Sequence, residues 1–281
     1  MRGKLWLWVL LCGAWLAPAV AAPPRLVALA PHITELVYAA GAGANLVGVA
    51  EYSDYPAAAL QLPRVGDAYR VDYETLRRLE PDIVVAWESG NPREVLDRLR
   101  EQGFRVVTLE ARTLDDVAEH LELIGALAHT EAQAAAAAAA YRERLRALRA
   151  QYRDSDRVSV FYQIAAEPYF TVSGDHVISR IIELCGGNNV FADVPGLAPA
   201  VTLEAIVAAN PQVILAGSNA DWRSAWRRWP TVRAVAANAL YAVDPDLLAR
   251  SGPRLVAGAE QVCAALATAR RAAAAGPVAR P

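Results

Sequence analysis

Lysine is all but missing from this sequence: Lys4 is the only one in 281 residues, so every basic residue after it is arginine. With 28 basic and 30 acidic residues the formal net charge is −2, and no basic patch points to nucleic acid or an anionic membrane surface. Beyond the first 22 residues no stretch reaches about 18 apolar residues without a charge or a breaker, which argues against a membrane-spanning helix there and predicts a soluble chain. Catalytic motifs are missing too. There is no Gly-x-Ser-x-Gly elbow, no His-Glu-x-x-His and no phosphate loop. Ser173-Gly174-Asp175-His176 gathers a serine, an aspartate and a histidine, but adjacency along a chain is not triad geometry. His32, His120, His129 and His176 include no i, i+4 pair, so no bare zinc or manganese site is expected. A secreted α/β hydrolytic enzyme is therefore disfavoured, and a protein that performs no chemistry is expected.

Cysteine is scarce: Cys12, Cys185 and Cys263. Cys12 falls in an N-terminal segment that reads as a secretory signal, residues 1–22. Arg2 and Lys4 form its positive end, Leu5 to Leu16 its short apolar core, and Ala19-Val20-Ala21-Ala22 a small-residue cleavage region, with cleavage after Ala21 or Ala22. Leu11 before Cys12 speaks against lipid attachment, where a small residue would be wanted. Export leaves Cys185 and Cys263, an even pair in an oxidising compartment. One disulfide there would stabilise the fold by roughly 4–5 kcal/mol in the chain-entropy model; two buried free thiols are the other reading.

A duplication is present. Val71 to Trp87 aligns without gaps on Val201 to Gly217, with identity at Val71/Val201, Glu74/Glu204, Pro81/Pro211 and Ala86/Ala216. Each copy reads as a short helix, a proline, then a continuous apolar run suited to a buried parallel strand. Around them, strands are expected at 25–29, 46–50, 82–87, 105–109, 157–163, 213–216 and 240–243. Helices are expected at 34–40, 73–79, 92–102, 114–127, 176–184, 203–209, 222–229 and 253–274. Such alternation means α/β lobes with parallel sheets flanked by helices. Between the halves, Thr130 and Gln133 suggest a capping box, and Ala134 to Ala140 is a strong helix former. The expected organisation is an N-terminal lobe at 23–129, a connecting helix at 130–153 and a C-terminal lobe at 154–281. Trp222, Trp226 and Trp229 share one helix face and read as a packed stripe.

Two α/β lobes joined by one long helix behind a signal segment resemble the helical-backbone class of periplasmic binding proteins. The strings Ala30-Pro31-His32-Ile33-Thr34-Glu35-Leu36, Tyr52-Ser53-Asp54-Tyr55-Pro56, Pro81 to Trp87, Cys185-Gly186-Gly187-Asn188-Asn189-Val190-Phe191 and Ser251-Gly252-Pro253-Arg254 bring the chain closest to the cobalamin-binding members that serve ABC vitamin importers. The resemblance implies capture of cobalamin or a related corrinoid in the periplasm and delivery to the membrane permease subunits of an importer. Cobalamin is then cargo rather than a catalytic cofactor, and the protein a monomer. Haem or a siderophore-type chelate is the alternative cargo within the class.

Residue by residue, the resemblance implies a Cys185–Cys263 disulfide, a ligand-contacting Tyr52, and cleft aromatics at Trp87 and Phe170. It implies a ligand-contacting loop Asp246-Leu247-Leu248-Ala249-Arg250, and docking glutamates Glu74 and Glu204, one per lobe. Asp246 could accept from corrin-rim amides and Arg250 donate to amide carbonyls or a phosphate; a local i, i+4 ion pair between them is the other possibility. The sequence departs from the family at two cleft tryptophans. Tyr69 stands one position away from the first, and Leu197-Ala198-Pro199 occupies the neighbourhood of the second. His32 stands where a well-known member has a small residue. It could ligate a cobalt or iron axial position, cap the helix expected from Thr34, or line the wall.

Overall fold

The computed structural model describes residues 22–217 and 222–275. The expected signal segment lies, up to Ala21, outside the described residues.

The first half runs β1 (Leu26–Ala28), α1 (Pro31–Ala39), β2 (Leu46–Val49), α2 (Tyr73–Leu79), β3 (Ile83–Trp87), α3 (Arg93–Glu101), β4 (Val106–Leu109) and α4 (Asp116–Ala128). The long helix α5 (Glu131–Tyr152) follows. The second half runs β5 (Val158–Gln163), β6 (Ala165–Ala166), β7 (Tyr169–Phe170), α6 (Val177–Leu184), β8 (Gly187–Asn189), β9 (Ala200–Val201), α7 (Leu203–Ala209) and β10 (Val213–Gly217). It ends with α8 (Trp222–Trp226), α9 (Arg233–Ala236), β11 (Leu240–Val243), α10 (Pro245–Leu248) and α11 (Leu255–Ala274). Among the described residues no helix is long and apolar enough to cross a membrane.

Two four-stranded parallel sheets result, ordered β2-β1-β3-β4 and β11-β10-β5-β8. Read from the opposite edge, the second order repeats the first, so the duplication extends to the whole sheet. It holds in backbone detail. Helices α2 and α7 each have seven residues and end on a left-handed residue, Glu80 (φ 44°) and Asn210 (φ 46°), before five-residue strands β3 and β10. Beside the large sheets, β6, β7 and β9 form a small antiparallel sheet.

Side chains on alternate strand positions separate two kinds of core. Leu26, Ala28, Ile83 and Val85 of the first sheet join Val158, Val160, Val213 and Leu215 of the second in one continuous apolar cluster. Helix α5 lies in that cluster through Ala134, Ala138, Tyr141, Leu145 and Leu148. The opposite faces are covered separately, by Leu76, Leu96 and Leu99 in the first half and by Ile206, Trp222 and Trp226 in the second. At 22 residues α5 is about 33 Å long. It ion-pairs to α4 (Arg142–Glu122), to Asp115 just before α4 (Arg149–Asp115) and to α11 (Arg144–Glu260). These exposed pairs contribute at most about 1 kcal/mol each, so the shared core is what ties the lobes to the helix.

Four expectations need correction. Among the described residues Thr130 makes no capping bond and its buried hydroxyl has no partner, so the capping box does not form. Helix α1 begins at Pro31, which puts His32 inside its first turn and removes it as a cap. Residues 246–250 are not an open loop: Asp244 caps the short helix α10 through the Asp246 N–H, and Leu248 is fully buried against α11. The tryptophan stripe stops at Trp226, because α8 ends there and Trp229 is 37% exposed.

Candidate functional site

The carbonyl groups of a parallel strand are spent on its neighbours in the sheet, and ligands of open α/β sheets collect in the crevice outside the strands' carboxyl ends. Here both sheets present their carboxyl ends to one cavity of about 930 Å³. From the first half it is lined by Trp87 at the end of β3 and by residues 110–113 after β4. From the second it is lined by Tyr162, Gln163 and Ile164 at the end of β5, and by Asp175, His176, Leu197, Gly217 and Ala249. Its size is at the upper end of the ~300–1,000 Å³ usual for small-molecule sites.

Trp87 is the best-fixed wall. Its backbone N–H donates to Asn91 Oδ1 (2.7 Å), and Asn91 Nδ2 donates to the carbonyls of Ala68 (3.0 Å) and Leu29 (3.4 Å). One buried asparagine thus ties the ends of β1 and β3 to the loop that carries Tyr69. The indole meets the His32 ring edge-on at 5.1 Å. At Gly90 an added Cβ would overlap the indole, so only glycine lets the chain turn this closely behind it.

The other expected contacts are spread around the cavity. Tyr52 follows β2 with a left-handed backbone (φ 64°) and is 77% exposed; Tyr69 is 72% exposed. Neither lines the cavity itself. A left-handed tyrosine is unfavourable unless its surroundings hold it there, and such residues cluster at functional sites. Phe170 is half-buried on β7, and its carbonyl accepts the N–H of the cavity residue Ile164 (2.8 Å). Ala249 lines the cavity, Leu247 is half-buried, and Leu248 sits in the core.

The polar ends of 246–250 face other charges. Arg250 approaches Asp246 at 3.3 Å, but its shortest contact crosses to the first half, Nη1 donating to Asp54 Oδ1 (2.6 Å), and it also donates to Glu35 Oε1 (3.2 Å). Arg254 binds both oxygens of Glu35 (2.7 and 2.8 Å) and stacks on Tyr55 at 4.1 Å. His32 is 6% exposed; burial lowers its pKa to about 3, with help from His120 and Arg250, so its imidazole is neutral. Among the described residues, no group of three or more His, Cys, Asp or Glu is placed to hold a metal ion.

Cys185 and Cys263 are disulfide-bonded, joining the end of α6 to α11 within the second half. Glu74 and Glu204 are exposed at the second positions of α2 and α7, one in each half. Sequence reasoning missed Gln163, His176 and Arg112 as cavity residues. The signal for Gln163 was its place at the end of the expected strand 157–163.

The periplasmic binding protein family model matches residues 26–247. A vitamin B12-binding protein of Vibrio cholerae serotype O1 is 37% identical over 263 residues, covering 92% of this chain and 95% of that one. The crystal structure of the periplasmic vitamin B12 binding protein BtuF of Vibrio cholerae superposes with a TM-score of 0.83 at 37% identity, covering 89% and 98% of the two chains. A periplasmic heme binding protein from Pseudomonas aeruginosa superposes with a TM-score of 0.72 at 26% identity, covering 87% and 92%. The chain belongs to the periplasmic binding protein family.

Proposed function

We propose that this protein captures cobalamin, or a closely related corrinoid, in the cleft between its lobes and delivers it to the permease subunits of an ABC importer. The observation that carries the reading is the near-full-length similarity to vitamin B12-binding proteins in both sequence and backbone. The chemistry of the cleft agrees with it. A corrinoid is a broad, largely apolar disc rimmed with amides, and Trp87, Ile164, Leu197 and Ala249 offer apolar area for the disc. Tyr52 and Tyr69 supply exposed rings on neighbouring loops, and Phe170 backs Ile164. The half-exposed carboxylate of Asp246 can accept from rim amides. Arg250, engaged with three carboxylates, acts chiefly between the lobes. The residues form no catalytic constellation in this reading, and the ligand leaves unchanged.

Glu74 and Glu204 serve as the docking pair: two exposed acids at equivalent positions of a duplicated body suit cationic sites on a two-fold membrane dimer. The test of the cargo is titration of the purified protein with cyanocobalamin, dicyanocobinamide and haemin, followed by tryptophan quenching and the ligands' visible spectra. Submicromolar binding of cyanocobalamin is expected. Binding of haemin without either corrinoid would overturn the reading.

A further inference from the structure

Two cavity side chains have their hydrogen-bonding sense fixed by buried neighbours. Gln163 is 5% exposed, and its Oε1 accepts from Trp226 Nε1 at 2.7 Å. An indole N–H can only donate, so the amide cannot turn over without stranding a buried donor. The Gln163 NH2 group is therefore the end left for the cavity. His176 caps α6, and its Nδ1 accepts the backbone N–H of Ile178 at 3.1 Å. The neutral ring then carries its proton on Nε2. Burial lowers the pKa of this histidine to about 4, which keeps the ring neutral in the periplasmic pH range. Among the described residues neither Gln163 Nε2 nor His176 Nε2 has a hydrogen-bond partner.

Resting on the corrinoid reading above, we infer that Gln163 and His176 are specificity-determining donors, held so that they read oxygen acceptors on the ligand. A corrinoid offers two sources of such oxygens, the carbonyls of its rim amides and the phosphate of its nucleotide loop. An apolar disc without acceptors at these positions would leave both N–H groups buried and unpaired, which is how a site built to hydrogen-bond rejects a near-isostere. The arrangement is asymmetric. Both donors belong to the second half, so recognition of the acceptor edge is set there, while the first half contributes the indole wall.

Two substitutions remove the donors and keep the buried partners satisfied. His176→Ser retains a capping oxygen for α6 and deletes the Nε2 donor. Gln163→Glu retains an acceptor for Trp226 and replaces the NH2 group with oxygen. Each is expected to weaken cyanocobalamin binding about tenfold or more, with an unchanged unfolding midpoint for His176→Ser. Equal losses for cyanocobalamin and dicyanocobinamide assign the donors to rim carbonyls; a loss confined to cyanocobalamin assigns them to the nucleotide phosphate. Either outcome supports the inference. Unchanged affinity of His176→Ser for both corrinoids overturns it while leaving the functional reading intact. Wild-type protein that binds neither corrinoid sinks both.

Discussion

Arg254 of the second half holds Glu35 of the first through two hydrogen bonds of 2.7 and 2.8 Å, across 219 positions of sequence. The Glu35 side chain is 1% exposed and also accepts from Arg250. Gly252 lies between the two arginines, where an added Cβ would come 3.3 Å from the His32 carbonyl oxygen. The lobes are thus fastened beside the cleft as well as along α5. A carboxylate this deep needs both guanidinium partners to offset its lost hydration, and the partners need it in return.

Removing that carboxylate leaves two largely buried cations facing each other. Glu35→Ala is expected to lower unfolding free energy by about 3–5 kcal/mol. Asp54, which meets Arg250 with a side chain 53% exposed, is different: Asp54→Asn is expected to cost about 1 kcal/mol or less. Urea unfolding of the two variants checks the order. Equal losses would mean that burial does not rank these contacts.

Acid should loosen the fold through the same region. His32 has a folded pKa of about 3 against an ordinary 6.5, so below pH 6.5 the unfolded chain takes up a proton that the folded chain refuses. Stability is then fully present above about pH 6.5 and falls as pH drops towards 3. His176, lowered to about 4 by burial, acts in the same direction. So does Asp54, whose pKa is lowered by its hydrogen bond from Arg250 and which loses that contribution when protonated. The His32 share between pH 7 and pH 5 is about 2 kcal/mol. Urea melts of His32→Leu at the two pH values should show a pH dependence smaller by that amount, whatever the variant's stability at pH 7. An unchanged pH dependence would place the acid sensitivity elsewhere.

The sheets were legible because a buried parallel strand is a continuous apolar run, as in Ile83–Trp87 and Val213–Gly217. Strand β8 was not: Gly187-Asn188-Asn189 has no apolar signal, and backbone pairing with β5 makes it a strand. Helix α10 is a single turn started by Pro245 behind the Asp244 cap, too short for periodicity to register. The site divides in the same way. Trp87 stands out as an aromatic at a strand end, whereas Gln163 becomes a fixed donor only because Trp226, 63 residues away, takes its oxygen. Arg250 offered Asp246 as its visible local partner, yet its shorter contact is with Asp54, 196 residues away. Long-range pairing of charges leaves no periodic trace in sequence.

The docking role proposed for Glu74 and Glu204 separates surface from cleft. Each glutamate lies in the first turn of its helix, where the backbone N–H groups favour a negative charge by roughly 0.3–1 kcal/mol. Helix chemistry alone accounts for one such residue; it does not account for two at the same register of both repeats, each exposed. Asp72 and Thr202 already cap the two helices through side-chain hydrogen bonds, so Glu74 and Glu204 are not needed for capping. Glu74→Ala with Glu204→Ala should therefore leave cyanocobalamin affinity within about twofold and cost no more than about 1 kcal/mol of stability per site. Association with the importer, measured with permease reconstituted in lipid, should be lost in the double variant and weakened in each single one. Full association by the double variant would return both glutamates to a purely helical role.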